Sequence, residues 1–240
     1  VVALCDIDEN TLNEALKRYP KARVYRDWRE MLEQEEDNID SVNVSTPDHT
    51  HAPAAMTAIK KGKHTFCEKP LTHEVYEARK LTLAARKEGV ATQMGIQIHS
   101  HDVYRTAVHW TKEGAIGKVK AWHSWSSATY SNDTKQRPAG VDPVPAHVDW
   151  DKWLGTASER PYKKDIYHPF AWRAWRDFGS GATGDFACHI FDPVFSALGV
   201  TAPLTIRSEA ESNSDEVHPA WVMTEYLFPG TEMTAGKTIR

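Results

Sequence analysis

The sequence has no hydrophobic run of the roughly 18 residues that a helix needs to cross a membrane, and no signal-peptide pattern opens it. It also has no basic stripe, because the net charge of the 240 residues is −4 and the lysines and arginines are scattered singly. These absences argue against a nucleic-acid partner and a membrane partner. A cytoplasmic protein is the expectation, with export left open because the first residues already have the pattern of a strand.

Cysteine is scarce, and its distribution excludes the common structural uses of that residue. The three cysteines, Cys5, Cys67 and Cys188, lie far apart among apolar neighbours, and no CxxC pattern occurs. We interpret them as small buried side chains and expect no metal site. Tryptophan, by contrast, is abundant at nine residues, and it suits either a core or stacking on sugar rings.

Residues 1–98 alternate short β-type apolar runs with segments of helical period. This alternation predicts an α/β fold in which crossover helices connect a doubly wound, Rossmann-type parallel sheet. The glycine-rich fingerprint of such a domain precedes its first acidic residue by about 20 positions, so we expect this domain to be incomplete at its N-terminus. The predicted strands are 1–5, 23–25, 41–45, 64–67 and 91–96, and the predicted helices are 10–18, 28–34, 52–61 and 74–87.

The pattern changes after residue 97 and predicts a second domain of the α+β class over residues 99–240, incomplete at its C-terminus. Its strands are expected to form an open, largely antiparallel sheet. A stretch rich in proline, glycine and aspartate, 132–161, predicts an extended excursion. The predicted helices are 103–113 and 183–198, and the predicted strands are 118–127, 204–211 and 222–228.

Asp6 follows the first predicted strand. A dinucleotide-binding fold places at this point the acid that accepts hydrogen bonds from the adenosine ribose. Such an acid favours NAD over NADP. The alternative is an ordinary turn acid or an acid at a helix N-terminus, and the residue alone does not decide between the two.

A polar stretch from Ser45 to His51, with the sequence STPDHTH, follows the strand at 41–45. Because ligands of α/β sheets bind at the carboxyl ends of the strands, Thr46 and Pro47 are predicted to line a cofactor. The alternative is a polar turn that caps a helix. An HxH pair in a loop is a weak metal motif and predicts no metal here.

Glu68-Lys69-Pro70 ends the strand at 64–67 and places a lysine at the same edge of the sheet. The proline restricts the backbone on both sides of it. A lysine fixed beside a bound cofactor is a candidate acid/base. The alternative is a surface turn.

Asp185 and His189 lie one turn apart on the predicted helix that follows Gly179-Ser180-Gly181, and Asp192 continues the same face. The carboxylate could orient the imidazole and hold its protonated form, which leaves His189 to bind or deprotonate a substrate hydroxyl. The alternative is an acid that interacts with the helix N-terminus beside a core histidine.

Together these stretches resemble one family, the Gfo/Idh/MocA oxidoreductases, through almost the whole chain. The resemblance is carried by VALCDIDE, STPDHTHAPAAMTAIKKGKHTFCEKPLT, MGIQIHSHDVYR and GSGATGDFACHIFD, of which the EKP block is the most specific. Many members have three glycines where this chain has Gly179-Ser180-Gly181. This chain also lacks the arginine that often follows the glutamine at Gln97.

The resemblance implies an N-terminal Rossmann domain and a C-terminal α/β domain whose open sheet often serves in oligomer contacts. It makes Lys69, Asp185 and His189 catalytic. It places the same three residues, with Trp172 and Arg173 of an aromatic-rich loop, on the substrate side. The cofactor-side residues that it implies are Asp6, Ile7, Ser45, Thr46, Pro47, His49, His51, Glu68, Lys69 and Gln97.

The expected function is hydride transfer between NAD, or NADP as the alternative, and a hydroxyl-bearing carbon of a sugar, a polyol or a sugar derivative. A homo-oligomer assembled through the second-domain sheet is also expected. One alternative is an NAD-dependent glycosidase or lyase that oxidises a ring hydroxyl only transiently. The other is a sugar sensor without enzymatic activity on the same fold.

Overall fold

The computed structural model describes residues 1–130, 136–211 and 214–240. They divide into two compact units. The first unit comprises Val1–Gly95 and Arg137–Gly179, and the second comprises Ile96–Gln136 and Ser180–Arg240. The segment 137–179, which the sequence analysis placed in the second domain, therefore packs as part of the first unit.

The strands of the first unit are all parallel, as the alternating pattern predicts. Two of them form one hydrogen-bonded sheet, and the other three form a second sheet in the order β3-β4-β5. Their register pairs Val44 with Cys67 and Cys67 with Met94, so the carboxyl ends of these three strands meet at one edge. The strands are β1 (Ala3–Cys5), β2 (Arg23–Tyr25), β3 (Ser41–Val44), β4 (His64–Glu68) and β5 (Thr92–Gly95).

Four helices connect these strands: α1 (Glu9–Arg18), α2 (Trp28–Gln34), α3 (Asp48–Lys60) and α4 (Val75–Glu88). Side-chain caps begin the first two; for α1, the Asp8 carboxylate accepts a hydrogen bond from the Asn10 backbone N–H at 2.8 Å. Helix α3 begins at Asp48 rather than at residue 52 as predicted. The acid in its first turn is favourable there because the helix dipole is positive at that end.

The core of the first unit lies between α3 and the sheet. Helix α3 contributes mostly small side chains, and Ala55 and Ala58 are almost fully buried against Val42 and Val44. Such small residues let a helix lie close to a sheet. Cys67 belongs to this core and burial raises the pKa of its thiol to about 12, whereas Cys5 and Cys188 are only half-buried, in contrast to the prediction.

The segment 137–179 has its own aromatic core around a short helix, Trp150–Leu154. The guanidinium group of Arg160 is buried there, stacks on Tyr167 and Phe178 at 5.4 and 4.6 Å from the ring centroids, and pairs with Asp177. Most of the abundant tryptophans near this helix are therefore core residues. The buried aromatic members are Trp153, Tyr162, Tyr167, Trp172, Trp175 and Phe178.

Backbone hydrogen bonds attach this segment to the turn that follows β1. The Glu9 N–H donates to the His147 carbonyl at 2.9 Å, and the Asp149 N–H donates to the Ile7 carbonyl at 3.1 Å. The side chain of Asp8 is also hydrogen bonded to His168 at 3.2 Å. These contacts are long-range in sequence, which explains why composition alone placed the segment in the other domain.

The second unit contains helices α5 (Asp102–Lys112) and α6 (Gly181–Leu198) and an antiparallel pair of strands, β6 (Thr205–Ala210) and β7 (Val222–Leu227). Its core is formed largely by the second half of α6, with Val194, Ala197 and Leu198 packed against Phe228. In the described parts of both units, no helix is long and apolar enough to span a membrane.

One predicted strand of the second unit does not form. Residues 118–127 have no regular secondary structure. Two separate backbone hydrogen bonds hold this stretch, from the Val119 N–H to the Met233 carbonyl and from the Trp122 N–H to the Arg240 carbonyl, each at 3.0 Å. The apolar run predicted a strand, but a strand also needs a continuous ladder with a neighbour, and the described residues provide only these two bonds.

Candidate active site

The turn after β1 holds the acid predicted to bind ribose. The Asp8 backbone N–H donates to Oδ1 of Asp6 at 2.9 Å, and burial raises the pKa of the Asp6 carboxyl above its usual value. Its Oδ2 has no hydrogen-bond partner among the described residues and can accept a hydrogen bond from a ligand hydroxyl. The neighbouring Ile7 carbonyl is already used, because it accepts from Arg26 at 2.6 Å and from the Asp149 N–H.

The turn after β3 contains Ser45, Thr46 and Pro47, and its hydroxyl groups form local hydrogen bonds. Ser45 is bonded to the side chain of Asn43 at 3.2 Å, and the Thr46 hydroxyl donates to the Pro47 carbonyl at 3.3 Å. Pro47 immediately precedes α3. The turn lies at the carboxyl edge of the sheet, as predicted, and α3 follows it directly, but within the described residues no side chain of the turn makes a capping hydrogen bond to the helix.

His49 lies inside the first turn of α3 and is 3% exposed. Its Nδ1 is 3.3 Å from the Phe178 carbonyl oxygen, and its Nε2 is 3.1 Å from the Trp153 carbonyl oxygen. Burial lowers the pKa of His49 to about 4. The ring therefore serves to hold the aromatic segment 137–179, and this placement does not support the prediction that it binds the cofactor directly.

His51 lies two residues further along α3 and is 1% exposed. Its Nε2 is 2.8 Å from the Thr46 carbonyl oxygen, and its Nδ1 is 2.8 Å from the Pro70 carbonyl oxygen. One buried ring thus links the turn after β3 to the turn after β4. Both ring nitrogens face backbone carbonyls, so the ring supports the two cofactor-side turns. A direct contact of His51 with a cofactor stays a prediction.

Glu68 is the last residue of β4, and Lys69 follows it as a half-buried side chain. Gly95 on the neighbouring strand leaves space for the Glu68 carboxylate because it has no side chain. A Cβ atom at Gly95 would lie 2.8 Å from Oε2 of Glu68 and 2.8 Å from the ring of Phe66. Any larger residue at Gly95 would therefore displace the carboxylate or the ring. Together the turns after β1, β3 and β4 bring Asp6, Thr46 and Lys69 to the carboxyl ends of parallel strands.

Asp185, His189 and Asp192 lie on one face of α6 in the second unit, as the spacing predicts. Asp185 is buried and accepts a hydrogen bond from the hydroxyl of Tyr130 at 2.8 Å. His189 is half-buried, with its ring 6.2 Å from that of Phe186. The acid of the pair is thus held by a neighbour from outside the helix, which places a fixed carboxylate one turn from the histidine.

Two partners of this helix face, Tyr130 and His99, were not predicted from the sequence. Tyr130 lies in a polar stretch with no motif, and nothing in the sequence connects it to a residue that follows it by 55 positions. Asp192 is bonded through Oδ2 to Nδ1 of His99 at 2.7 Å. His99 lies two residues after Gln97, in the stretch where this chain lacks the arginine that often follows that glutamine in the family. Gln97 itself is exposed and begins a short 3₁₀ helix of the second unit.

Trp172 and Arg173 belong to the first unit, and the structure places them in a local stack. Trp172 is 6% exposed, and its indole N–H donates to the Pro169 carbonyl at 3.1 Å. The guanidinium of Arg173 lies between the rings of Phe170 and Trp172, at 4.3 and 4.2 Å from the two centroids. The indole is thus a packed side chain, while exposed Phe170 and half-buried Arg173 remain accessible to a ligand.

The arrangement has the features of a dinucleotide-dependent oxidoreductase: a parallel sheet with an acid after its first strand, and an acid–histidine helix in a separate unit. Residues 1–96 match the family described as "Oxidoreductase family, NAD-binding Rossmann fold", and residues 102–233 match "Oxidoreductase family, C-terminal alpha/beta domain". The chain belongs to the Gfo/Idh/MocA family of NAD-binding oxidoreductases, as its sequence predicts.

Curated relatives include a levoglucosan dehydrogenase of Pseudarthrobacter phenanthrenivorans, 26% identical over 75% of this chain and 37% of its own length. An inositol 2-dehydrogenase of Salmonella paratyphi B is 30% identical over 70% of this chain and 50% of its own length. The chain thus spans half or less of the length of these relatives. Within the described residues, no group of three or more metal-binding side chains occurs.

Solved structures resemble this chain over almost all of its length. A levoglucosan dehydrogenase in complex with NADH and levoglucosan has a TM-score of 0.65 at 20% identity, covering 99% of this chain and 56% of that one. An aldose-aldose oxidoreductase from Caulobacter crescentus complexed with glycerol has a TM-score of 0.65 at 18% identity, covering 100% of this chain and 61% of that one. At these identities the similarity establishes the fold.

Proposed function

We propose that this protein transfers a hydride between NAD and a hydroxyl-bearing carbon of a sugar or polyol. The observation that carries the proposal is the α6 face, where the buried Asp185 carboxylate is fixed by Tyr130 one turn from His189. A second observation supports it: the EKP lysine, Lys69, follows a parallel strand at the edge where dinucleotides bind.

NAD fits the residues of the first unit. Asp6 is half-buried after β1 and keeps Oδ2 open for a ribose hydroxyl, while Thr46 and Pro47 form the turn after β3. A carboxylate at this position favours NAD because it would repel the extra phosphate of NADP. When bound, the nicotinamide supplies the hydride acceptor or donor.

The chain's own residues then need only bind the sugar and move one proton. We assign proton transfer with the substrate hydroxyl to Lys69, whose Nζ is the acid/base, and hydrogen bonding to the substrate to His189. Asp185 is a positioning residue, because a fixed carboxylate one turn away favours one orientation and the protonated form of the imidazole. Tyr130 acts through Asp185.

The test is turnover by the full-length protein with NAD and a panel of sugars and polyols, followed through the absorbance of reduced cofactor. Replacement of Lys69 by alanine should lower kcat by about 10²–10⁴, the usual contribution of a positioned acid/base, while NAD still binds. Lys87→Ala is the matched control, since Lys87 is an exposed lysine of the same unit at the far end of α4. Unchanged turnover in Lys69→Ala, or no turnover of any sugar by the unmodified protein, contradicts the proposal.

A second arm separates net oxidation from transient oxidation. In deuterated water, a dehydrogenase should accumulate reduced cofactor without deuterium at the carbon next to the oxidised one in recovered substrate. Cleavage of an aryl glycoside that requires catalytic NAD and incorporates deuterium would instead identify a glycosidase or lyase.

A further inference from the structure

A groove of about 610 Å³ lies in the second unit along α5, beside the C-terminal half of α6. We call it the α5 groove and define it by six of its lining residues: His99, Tyr104, Arg105, His109, Lys112 and Ser196. It lies wholly within one compact unit. Nothing in the assigned chemistry of Lys69, Asp185 and His189 uses these side chains.

Three basic side chains line the groove from one face of α5. Arg105, His109 and Lys112 follow each other at spacings of four and three residues, so they project from adjacent turns of one helix face. None of the three has an acidic partner among the described residues. The Asp192 carboxylate of α6 lies beside the groove, where it is bonded to His99 and interacts with Tyr104. The groove therefore presents two cations without an acidic partner, Arg105 and Lys112.

Helix stability explains only part of this arrangement. His109 and Lys112 lie in the last turn of α5, where the helix dipole favours basic side chains. Arg105 lies in the first turn, where the dipole disfavours a cation. An anion in the groove would compensate the charges of Arg105 and Lys112.

One hydroxyl group on α6, that of Ser196, adds a neutral hydrogen-bond donor to the groove. The Tyr104 hydroxyl donates to Oγ of Ser196 at 3.0 Å, so the Ser196 hydroxyl proton is free to point elsewhere. Burial raises the pKa of Tyr104 to about 12, which keeps this phenol protonated. Cationic donors together with hydroxyl donors are the usual surroundings of a bound phosphate or carboxylate.

The groove continues the face of α6 that carries the proposed substrate residues. Ser196 follows His189 by seven residues on the same helix, which is about 10 Å along its axis at 1.5 Å per residue. Asp192, between them, holds the His99 ring that also lines the groove. A sugar bound at His189 could therefore extend a charged substituent into the groove.

We propose that the α5 groove binds an anionic group of the substrate, and that the substrate class is a sugar that carries a phosphate or a carboxylate. The substrate part of this inference rests on the proposed hydride-transfer function of the α6 face. Arg105 and Lys112 contribute the charge, and Ser196 contributes a hydroxyl donor. Specificity for an acidic sugar over a neutral one then comes from residues that take no part in proton transfer.

The test is calorimetric titration of the full-length, NAD-saturated protein with four probes: glucose, glucuronate, glucose 6-phosphate and inorganic phosphate. At least one of the two acidic sugars should bind about tenfold or more tightly than glucose, and the difference should shrink at high salt. Equal binding of glucose and of both acidic sugars overturns the proposal. Inorganic phosphate that binds as tightly as the phosphorylated sugar shows an anion site unconnected with the substrate and also overturns it.

Variants locate the preference in the groove. The double variant Arg105→Gln, Lys112→Gln should lose the preference for the acidic sugar and keep its affinity for glucose and for NAD. The control, Lys87→Gln with Arg207→Gln, removes two exposed cations elsewhere and should keep the preference. A preference that survives in the groove variant contradicts the assignment. Tight binding of an acidic sugar without any reduction of NAD would contradict the hydride-transfer function and leave the anion site in place.

Discussion

Two histidines of α3 in the first unit and one histidine of the second unit are held in different ways. In the first unit, His49 and His51 are buried, and all four of their ring nitrogens face backbone carbonyl oxygens. In the second unit, His99 is 61% exposed and is bonded to the carboxylate of Asp192. A ring bonded to carbonyls fixes the path of the chain, whereas a ring bonded to a carboxylate is itself oriented and stays available to a ligand.

This difference separates residues that shape the site from residues that act in it. In the first unit, the rings of His49 and His51 cross-link turns, and the residues that we propose for its chemistry are Asp6 and Lys69. The second unit uses side-chain pairs, Tyr130 with Asp185 and His99 with Asp192, to orient groups on one helix face. Substitutions in the first set should therefore change stability most, and substitutions in the second set should change turnover.

The largest effect on stability is expected from His51→Ala. The substitution removes the one N–H that a neutral imidazole donates, so it leaves the carbonyl of Thr46 or of Pro70 without its donor, at a cost of about 1–3 kcal/mol. The buried ring also leaves a cavity, and we expect the free energy of unfolding in urea to fall by about 3 kcal/mol, with NAD affinity falling as the two turns separate. His123→Ala, at an exposed histidine of the second unit, is the control. A loss no larger than that of the control would show that His51 is not a cross-link.

A similar loss of folding stability, of at most about 3 kcal/mol, is expected at low pH because His49 is buried. Its pKa is about 4 in the folded protein against 6.5 for an ordinary histidine, so below pH 6.5 the unfolded chain takes up a proton that the folded chain does not. Stability should therefore be complete above pH 6.5 and decline as the pH falls toward 4. Urea unfolding at several pH values measures this decline, and His49→Gln should flatten it even if the variant is less stable overall.

A smaller effect, confined to turnover, is expected from Tyr130→Phe. The variant removes one hydrogen bond to the buried Asp185 carboxylate and keeps the ring, and a hydrogen bond to a charged group is worth about 1.5–3 kcal/mol. We expect kcat to fall about tenfold or more, with NAD affinity unchanged. The control Tyr76→Phe changes an exposed tyrosine of the first unit. An unfolding energy that falls with no change in kcat would place Tyr130 among the structural residues instead.

The smallest effect on stability is expected from His99→Ala. The ring is largely exposed, and an exposed contact with a carboxylate such as that of Asp192 contributes about 0–1 kcal/mol. The free energy of unfolding should therefore change by less than about 1 kcal/mol, measured in urea. A loss of more than about 2 kcal/mol would show that His99, like His49 and His51, has a structural role.

Much of the fold follows from local pattern. All five parallel strands and the four helices between them lie close to their predicted positions, because apolar alternation, Asp8 and Asp27 as caps and Gly89 after α4 are local signals. The strand predicted at 118–127 is the exception. Its apolar run satisfies the local condition for a strand, but pairing depends on a neighbour that local sequence does not specify.

The sequence predicted the candidate site more completely in the second unit than in the first. The spacing of Asp185, His189 and Asp192 places them on one helix face without any tertiary information. The cofactor-side role predicted for His49 followed from its motif, yet the structure uses its ring to hold the aromatic segment 137–179. Motif position indicates which loop a residue belongs to, and only packing decides which way its side chain points.

The sequence by itself determined the parallel sheet of the first unit, the position of Lys69 after β4, and the acid–histidine face of α6, since each depends on contacts within a few residues or on strand order. The tertiary structure alone decided that segment 137–179 packs with the first unit, that His51 joins two turns, and that Tyr130 holds Asp185. These contacts join residues far apart in the chain, and their free energy appears only when the intervening residues are folded.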